Sequence, residues 1–228
     1  MNYRHRKKRI QAWRLFMAFP RSVWFNFRFL PWSQARKLPI LISNKTKIES
    51  MSGKVVFDTD DLRIGLVKIG FDVYEGTNWR HENTHLNIRG TFVIRGNCKI
   101  GAGSSVEVSE GARLTVGNEF NIGPRSLVIC HKEMTFGDTV RFSWCCTVMD
   151  TDQHDLVDLQ GNVVNPDRAI VFGNNVWIGC NAIITKGVQL ASNTTVSAGT
   201  RLTGRYEEPF TVLSGNPATV VRRGVRRK

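Results

Sequence analysis

Residues 172–202 read FGNNVWIGC NAIITKGVQL ASNTTVSAGT RL. An apolar residue returns at every sixth position: Phe172, Ile178, Ile184, Leu190, Val196 and Leu202. Four residues after each comes a small or medium one, Val176, Ala182, Val188, Thr194 and Thr200, with Tyr206 breaking the size rule. A glycine or another small residue often follows the apolar position, as in Phe172-Gly173, Ile178-Gly179, Leu190-Ala191 and Val196-Ser197. A period of six suits neither an amphipathic helix, which needs 3.6, nor an ordinary hairpin. It suits short strands joined by tight turns that wind into coils, each stacked on the next as in a solenoid. The apolar residue then points inward, and the smaller one fits where the chain turns a corner.

The same step extends upstream. Ile88, Ile94, Ile100 and Val106 keep it; Val116, Ile122, Val128 and Met134 keep it in a shifted phase; Phe136, Phe142 and Val148 return to the later phase. The repeat therefore spans 86–206. It is interrupted at 152–171, a polar stretch with Gly161 and Pro166 that reads as an excursion out of the coil, the kind of loop that commonly carries function. Residues 49–85 read as a lead-in with the first irregular coils, and 207–228 as a C-terminal basic tail.

The chain has 228 residues, 41% of them hydrophobic, enough for one sizeable core. No stretch of 18 uncharged apolar residues occurs, which argues against a spanning helix. The net charge of +13 belongs to the ends. Residues 1–48 hold 12 Lys/Arg and no Asp/Glu, residues 209–228 hold 5 and none, and the middle has 15 against 19. Basic ends suggest an anionic partner or simply a solvated charge run. The slightly acidic repeat argues against specific nucleic-acid binding. Five cysteines, an odd number with no CxxC spacing, argue against a disulfide framework or a zinc knuckle and fit a reducing compartment. The basic N-terminus makes a poor signal peptide, since its apolar run from Ala12 to Phe19 contains Arg14 and ends at Pro20. A cytoplasmic location is expected.

Residues 1–48 differ in kind. Eight of the 22 aromatics lie between Trp13 and Trp32, interleaved with Arg14, Arg21 and Arg28. Short amphipathic helices broken at Pro20 and Pro31 are expected. They would serve as a contact with anionic membrane, as a cap over the open end of the coil, or as both.

His81-Glu82-Asn83-Thr84-His85 matches H-E-x-x-H, whose zinc chemistry needs both histidines on one helix face. Strand-like alternation begins at once with Leu86 and Ile88, and Gly76, Thr77 and Asn78 do not favour a helix, so the match reads as chance. Among the remaining histidines, His154 is the more informative. It stands at the lip of the excursion, with Asp150 and Asp152 four and two residues earlier. Neutral imidazole titrates near the working pH, so His154 is a candidate general base, and a carboxylate can fix its tautomer. A surface loop histidine is the competing reading.

The repeat resembles the hexapeptide-repeat acyltransferases, an all-β family with a left-handed parallel β-helix of three hexapeptides per coil. The resemblance covers residues 86–223 and implies six to seven coils over 86–206, roughly 30 Å at about 4.8 Å per coil, with a short helical N-terminal extension. Asp150-x-Asp152-x-His154 looks like the branch that acetylates sugars and polysaccharides, which implies that His154 removes the acceptor hydroxyl proton and that Asp152 orients it. Val176-Trp177-Ile178-Gly179-x-x-Ala182 resembles the family's V-W-I-G-x-x-A signature. By it, Trp177 lies along the substrate and pantetheine region, and the backbone N–H of Cys180 faces the thioester carbonyl, where it would stabilise a developing oxyanion. Reading Cys180 as a covalent nucleophile would need an activated thiolate, whereas the resemblance implies direct transfer in a ternary complex.

Val196-Ser197-Ala198-Gly199-Thr200 resembles the glycine-containing coil that flanks coenzyme A, and Gly215-Asn216-Pro217-Ala218 the closing G-N-P-A motif. By position, Ala198 and Thr203 would line the pantetheine arm and Arg222 would approach the nucleotide phosphates. The residue after G-N-P-A, often basic in the family, is Thr219 here; Arg223, Arg226 and Arg227 could substitute. The same fold hosts zinc-dependent carbonic anhydrases, but His131 and His154 form no ligand triad, so no metal is expected. The resemblance implies acetyl-CoA as co-substrate, a bacterial surface polysaccharide or its sugar precursor as acceptor, and a homotrimer with sites between subunits. A non-catalytic β-helix scaffold or glycan-binding protein is the alternative.

Overall fold

The computed structural model describes residues 3–72 and 81–227, residues 3–12 in backbone alone. The Gly76, Thr77 and Asn78 of the sequence argument lie outside the described residues.

Three parallel sheets of stacked strands form the faces of a triangular prism, and every third strand along the chain joins the same sheet. The first sheet runs from Ile40–Ile42 through Cys98–Ile100 and Trp177–Ile178 to Thr211–Gly215, and an antiparallel strand, Ala218–Arg223, closes it. The second and third sheets hold seven strands each, so the stack is roughly 30 Å long at about 4.8 Å per strand. This is the left-handed parallel β-helix expected from the repeat.

The prism starts earlier than the six-residue step suggests. Ile40 pairs with Val67, Thr46 with Thr84, and Lys54 with Thr91, so the first coil is built from residues 40–57 and begins before the irregular coils expected over 49–85. Seven coils are reached only by counting that segment. The hexapeptide step is hidden there because the strands are longer. Val106 and Val108 both point inward, as do Leu114 and Val116, and two inward residues per strand lengthen the coil. Stacked partners lie 22 apart at Ser105 and Leu127 and 20 apart at Leu127 and Thr147. They reach the 18 of three hexapeptides only later, at Ile183 and Arg201. The extra residues produce the phase shift between Val106 and Val116.

All six apolar residues of the opening run are buried, and so are Val176, Ala182, Val188, Thr194 and Thr200 behind them. Mid-prism, Phe120, Phe136, Phe142 and Phe172 form an aromatic column inside the prism with centroids 5.1–6.1 Å apart. The corners need left-handed backbone: Glu119, Thr139, Asn175 and Asn193 take φ of 55–62° at one edge. Side chains tie that edge together, since Asn118, Asp138, Asn174 and Ser192 each accept the backbone N–H of the neighbouring coil at 2.7–2.9 Å.

The N-terminal segment is one long helix, α1 (Tyr3–Phe29), followed by a short α2 (Trp32–Ala35) after Pro31. The expected break at Pro20 does not occur. Pro20 lies on the exposed side, where solvent can meet the carbonyl freed by its missing N–H. α1 packs on the first strand: Asn26 both donates to the Ile40 carbonyl at 2.6 Å and accepts from its N–H at 3.1 Å, while Ser22 Oγ accepts from Ile42 N–H at 3.0 Å. Phe25 and Leu30 complete the apolar core at that end. The segment thus caps the coil.

Candidate active site

The excursion leaves the prism at the edge between the second and third sheets, after Thr147–Met149, and returns at Ile170–Phe172. Its root is held by carboxylates. Asp150 is fully buried and accepts the backbone N–H groups of His131, Lys132 and Glu133 at 2.7–2.9 Å. Three such donors to one carboxylate make it a structural cap for the turn of the preceding coil. Asp152 accepts from Lys186 Nζ at 2.5 Å and from Asn165 Nδ2 at 2.9 Å. These two partners, Lys186 first, hold its pKa below the ordinary carboxylate value. Lys186 also donates to the Asn165 carbonyl, and Asn165 Nδ2 to the His154 carbonyl at 2.9 Å.

His154 follows two residues after Asp152 and is exposed. Among the described residues its imidazole makes no hydrogen bond. The Asp152 carboxylate, expected to orient that ring, makes its contacts to Lys186 and Asn165 through Oδ2, and among the described residues no hydrogen bond joins it to the imidazole. It fixes the backbone on which His154 stands, because a buried ammonium on the coil needs the nearest acid as its partner. Beyond His154 the loop folds back as a small hairpin with a Val157–Val163 bridge, its turn tied by Asp158 to Gln160 and Asn162. Leu156, Val157, Leu159, Val163 and Val164 on it are exposed.

A second group lies on a different edge, between the first and second sheets. Trp177 is 41% exposed, its ring outside the prism, and its Nε1–H donates to Ser143 Oγ at 3.2 Å. Gly179 brings two coils close: a Cβ there would stand 2.5 Å from the Ala198 backbone nitrogen. Gly199 N–H donates to the Cys180 carbonyl at 2.8 Å, so Cys180 and Ala198 are neighbours in adjacent coils. Among the described residues, neither the Cys180 nor the Ala198 backbone N–H donates to another protein group. Thr203, exposed, follows the strand Arg201–Leu202 and sits on the edge of the excursion, away from Cys180. Arg222 is exposed on the antiparallel strand at the end of the first sheet, and the cis Asn216–Pro217 peptide lies in the turn before it. Arg223 pairs with Glu208 at 2.9 Å.

The structure therefore brings Trp177, Cys180 and Ala198 together and sets His154 and Thr203 apart on another edge. Lys186, Asn165 and Ser143 were missed. For Lys186 there was a signal: a lysine inside a repeat that buries its neighbours needs an acid within reach. The other two leave no mark in the repeat.

His81 and Glu82 precede the strand Thr84–Ile88 rather than sharing a helix with His85. Glu82 pairs with Arg125, and His85 Nδ1 lies 2.9 Å from Glu49. Among the described residues no group of three His, Cys, Asp or Glu is arranged to hold a metal ion. Burial pushes the thiols of Cys98 and Cys146 up to about 12 and raises that of Cys130, where Asp150 adds to the effect.

Three parallel sheets, later coils of 18 residues and an excursion before V-W-I-G define a hexapeptide-repeat left-handed β-helix. The family profile "Bacterial transferase hexapeptide (six repeats)" matches residues 169–204. The chain is similar to the galactoside O-acetyltransferase of Escherichia coli (strain K12), 29% identical over 117 residues, which are 51% of this chain and 57% of that protein. It thus spans little more than half of that relative. It is also similar to an uncharacterized 24.8 kDa protein in the cps region of Klebsiella pneumoniae, 27% identical over 87% of this chain and 86% of that one. Among solved structures, the polySia-specific acetyltransferase NeuO aligns with a TM-score of 0.47 and 16% identity, over 80% of this chain and 82% of that one.

Proposed function

We propose that the protein is an acetyl-CoA-dependent O-acetyltransferase acting on a hydroxyl of a bacterial surface polysaccharide or of its sugar precursor. His154 removes the acceptor hydroxyl proton as that oxygen attacks the thioester carbon. The Cys180 N–H donates to the oxygen that gathers charge. The tetrahedral intermediate collapses, the carbon–sulfur bond breaks, and coenzyme A leaves as the thiol with the proton from His154. The acetyl group passes directly to the acceptor in a ternary complex, and the steps as written use no metal. Trp177, Ala198, Thr203 and Arg222 position the coenzyme, with Arg222 toward its phosphates. Asp152 is a positioning residue that acts through the loop.

The working unit is a homotrimer. His154 stands on one edge of the prism and Cys180 on another, so a site that uses both takes the excursion of one copy and the Trp177–Cys180 edge of the next. The exposed Leu156, Val157 and Leu159 of the excursion suit such a contact.

The observation that carries the reading is an imidazole on an anchored loop and two backbone donors, Cys180 and Ala198, on a neighbouring edge, all without a hydrogen-bond partner among the described residues. The test is thiol release from acetyl-CoA across a panel of glycans and sugar nucleotides, with His154→Ala as control. A folded His154→Ala protein is expected to lose about 10²–10⁴-fold of the activity. Transfer by that variant near the wild-type rate would overturn the assignment. Binding to glycans without any acetyl-CoA dependence would point to the scaffold alternative.

A further inference from the structure

α1 presents two apolar faces, and the coil covers one. Ala18, Ser22, Phe25 and Asn26 are buried against the first strand. On the opposite side Trp13, Phe16, Met17, Pro20, Trp24 and Phe27 follow each other at steps of one, three or four, which places them in one stripe along a helix. Trp13 is 63% exposed, Phe16 69%, Trp24 52% and Phe27 43%. Trp32 of α2 extends the stripe, 73% exposed, with its ring 5.2 Å from that of Phe27. Contiguous exposed aromatics of this extent mark an interaction surface.

The charge of the segment selects the partner. Residues 1–48 contain 12 Lys/Arg and no Asp/Glu, with Arg4, Arg6, Lys7, Lys8 and Arg9 falling in the first turns of α1. A second copy laid stripe to stripe would bring two such cationic segments together. An anionic bilayer accepts both features: Trp and Phe settle at its interface, and its negative surface potential attracts Lys and Arg. Among the described residues no helix is long and apolar enough to cross a membrane, so α1 would lie on the surface.

We propose that α1 and α2 dock the protein on an anionic lipid surface through the Trp13–Phe27 stripe and Trp32. The β-helix, packed on the other side of α1, then faces away from the lipid. The inference is independent of the acyl-transfer reading.

The test is flotation of the full chain with vesicles of phosphatidylcholine alone or of phosphatidylcholine with phosphatidylglycerol. The protein is expected to float with the phosphatidylglycerol vesicles, with a blue shift of its tryptophan emission, and to float less as salt rises. The double variant Trp24→Ser/Phe27→Ser is expected to lose binding about tenfold or more, with unchanged thermal unfolding because both side chains point away from the core. No flotation with phosphatidylglycerol vesicles, or flotation indifferent to both lipid charge and the double variant, would overturn the proposal. So would a double variant whose oligomer falls apart in sedimentation, since the stripe would then be an interface between copies. Acetyl-CoA binding measured on the same preparations reports on the acyl-transfer reading separately.

Discussion

Lys186 and Asp152 meet at 2.5 Å across the root of the excursion, one from the coil and one from the loop. The lysine side chain is 9% exposed and the aspartate 46%, so the coil supplies a desolvated cation and the loop comes to it. Lys186→Met should therefore free the loop while leaving the prism folded. We expect kcat/KM to fall about tenfold to a hundredfold, the scale of a misplaced catalytic group, with an unchanged far-ultraviolet spectrum.

The same pair sets a pH expectation. The Asp152 carboxyl has its pKa lowered in the folded protein, so its contribution is fully present above the unfolded value of about 4 and is lost only as pH falls further. The loop anchor is thus intact throughout the neutral range. Asp152→Asn should lower the plateau of the pH–rate profile without moving its acid limb. A limb that shifts with Asp152→Asn would mean that Asp152 titrates in the reaction.

Cys180 is assigned a backbone role, and its side chain should be dispensable. Cys180→Ala is expected to keep transfer within about threefold of wild type, whereas losing one oxyanion donor costs about 10²–10³-fold. A Cys180→Ala protein that is folded, binds acetyl-CoA and transfers nothing would instead point to a thiol nucleophile. Burst kinetics on the wild type would then reveal the acyl-enzyme.

Phe136 lies at the centre of the aromatic column, with Phe120, Phe142 and Phe172 rings at 5.1–5.6 Å. Its replacement by alanine should leave a cavity that the stacked coils cannot close. We expect a loss of about 3–5 kcal/mol, read as a lower unfolding midpoint in urea. Phe136→Leu should recover most of it.

The coils from Phe172 to Leu202 were legible, because there each strand offers one inward residue and stacked partners lie 18 apart, whereas the strand Thr211–Gly215, 17 residues from its partner, fell in the stretch read as a basic tail. The first coil was not: Ile40 to Phe57 form strands whose partners lie 27 to 38 residues further on, such as Ile40 with Val67 and Thr46 with Thr84, and no local period survives such spacing. His154, Trp177 and Cys180 were singled out through motifs, and the outward side chain of Trp177 followed from its place just before an inward Ile178. Their distribution over two edges could not be read from order along the chain, since edge membership depends on how many residues each coil spends at its corners. Asp150 entered only as part of D-x-D-x-H; its three backbone donors belong to a turn 17 to 19 residues upstream, a contact that only coil stacking creates.

In the proposed function Trp177, Cys180 and Ala198 shape an acetyl-CoA site. That claim is tested most directly by calorimetric titration of acetyl-CoA into purified protein of known oligomeric state, which needs no acceptor. We expect one site per chain with micromolar affinity, about −8 kcal/mol, on a trimer, weakened by Arg222→Ala. No heat of binding with either acetyl-CoA or coenzyme A, from a folded trimer, would contradict it.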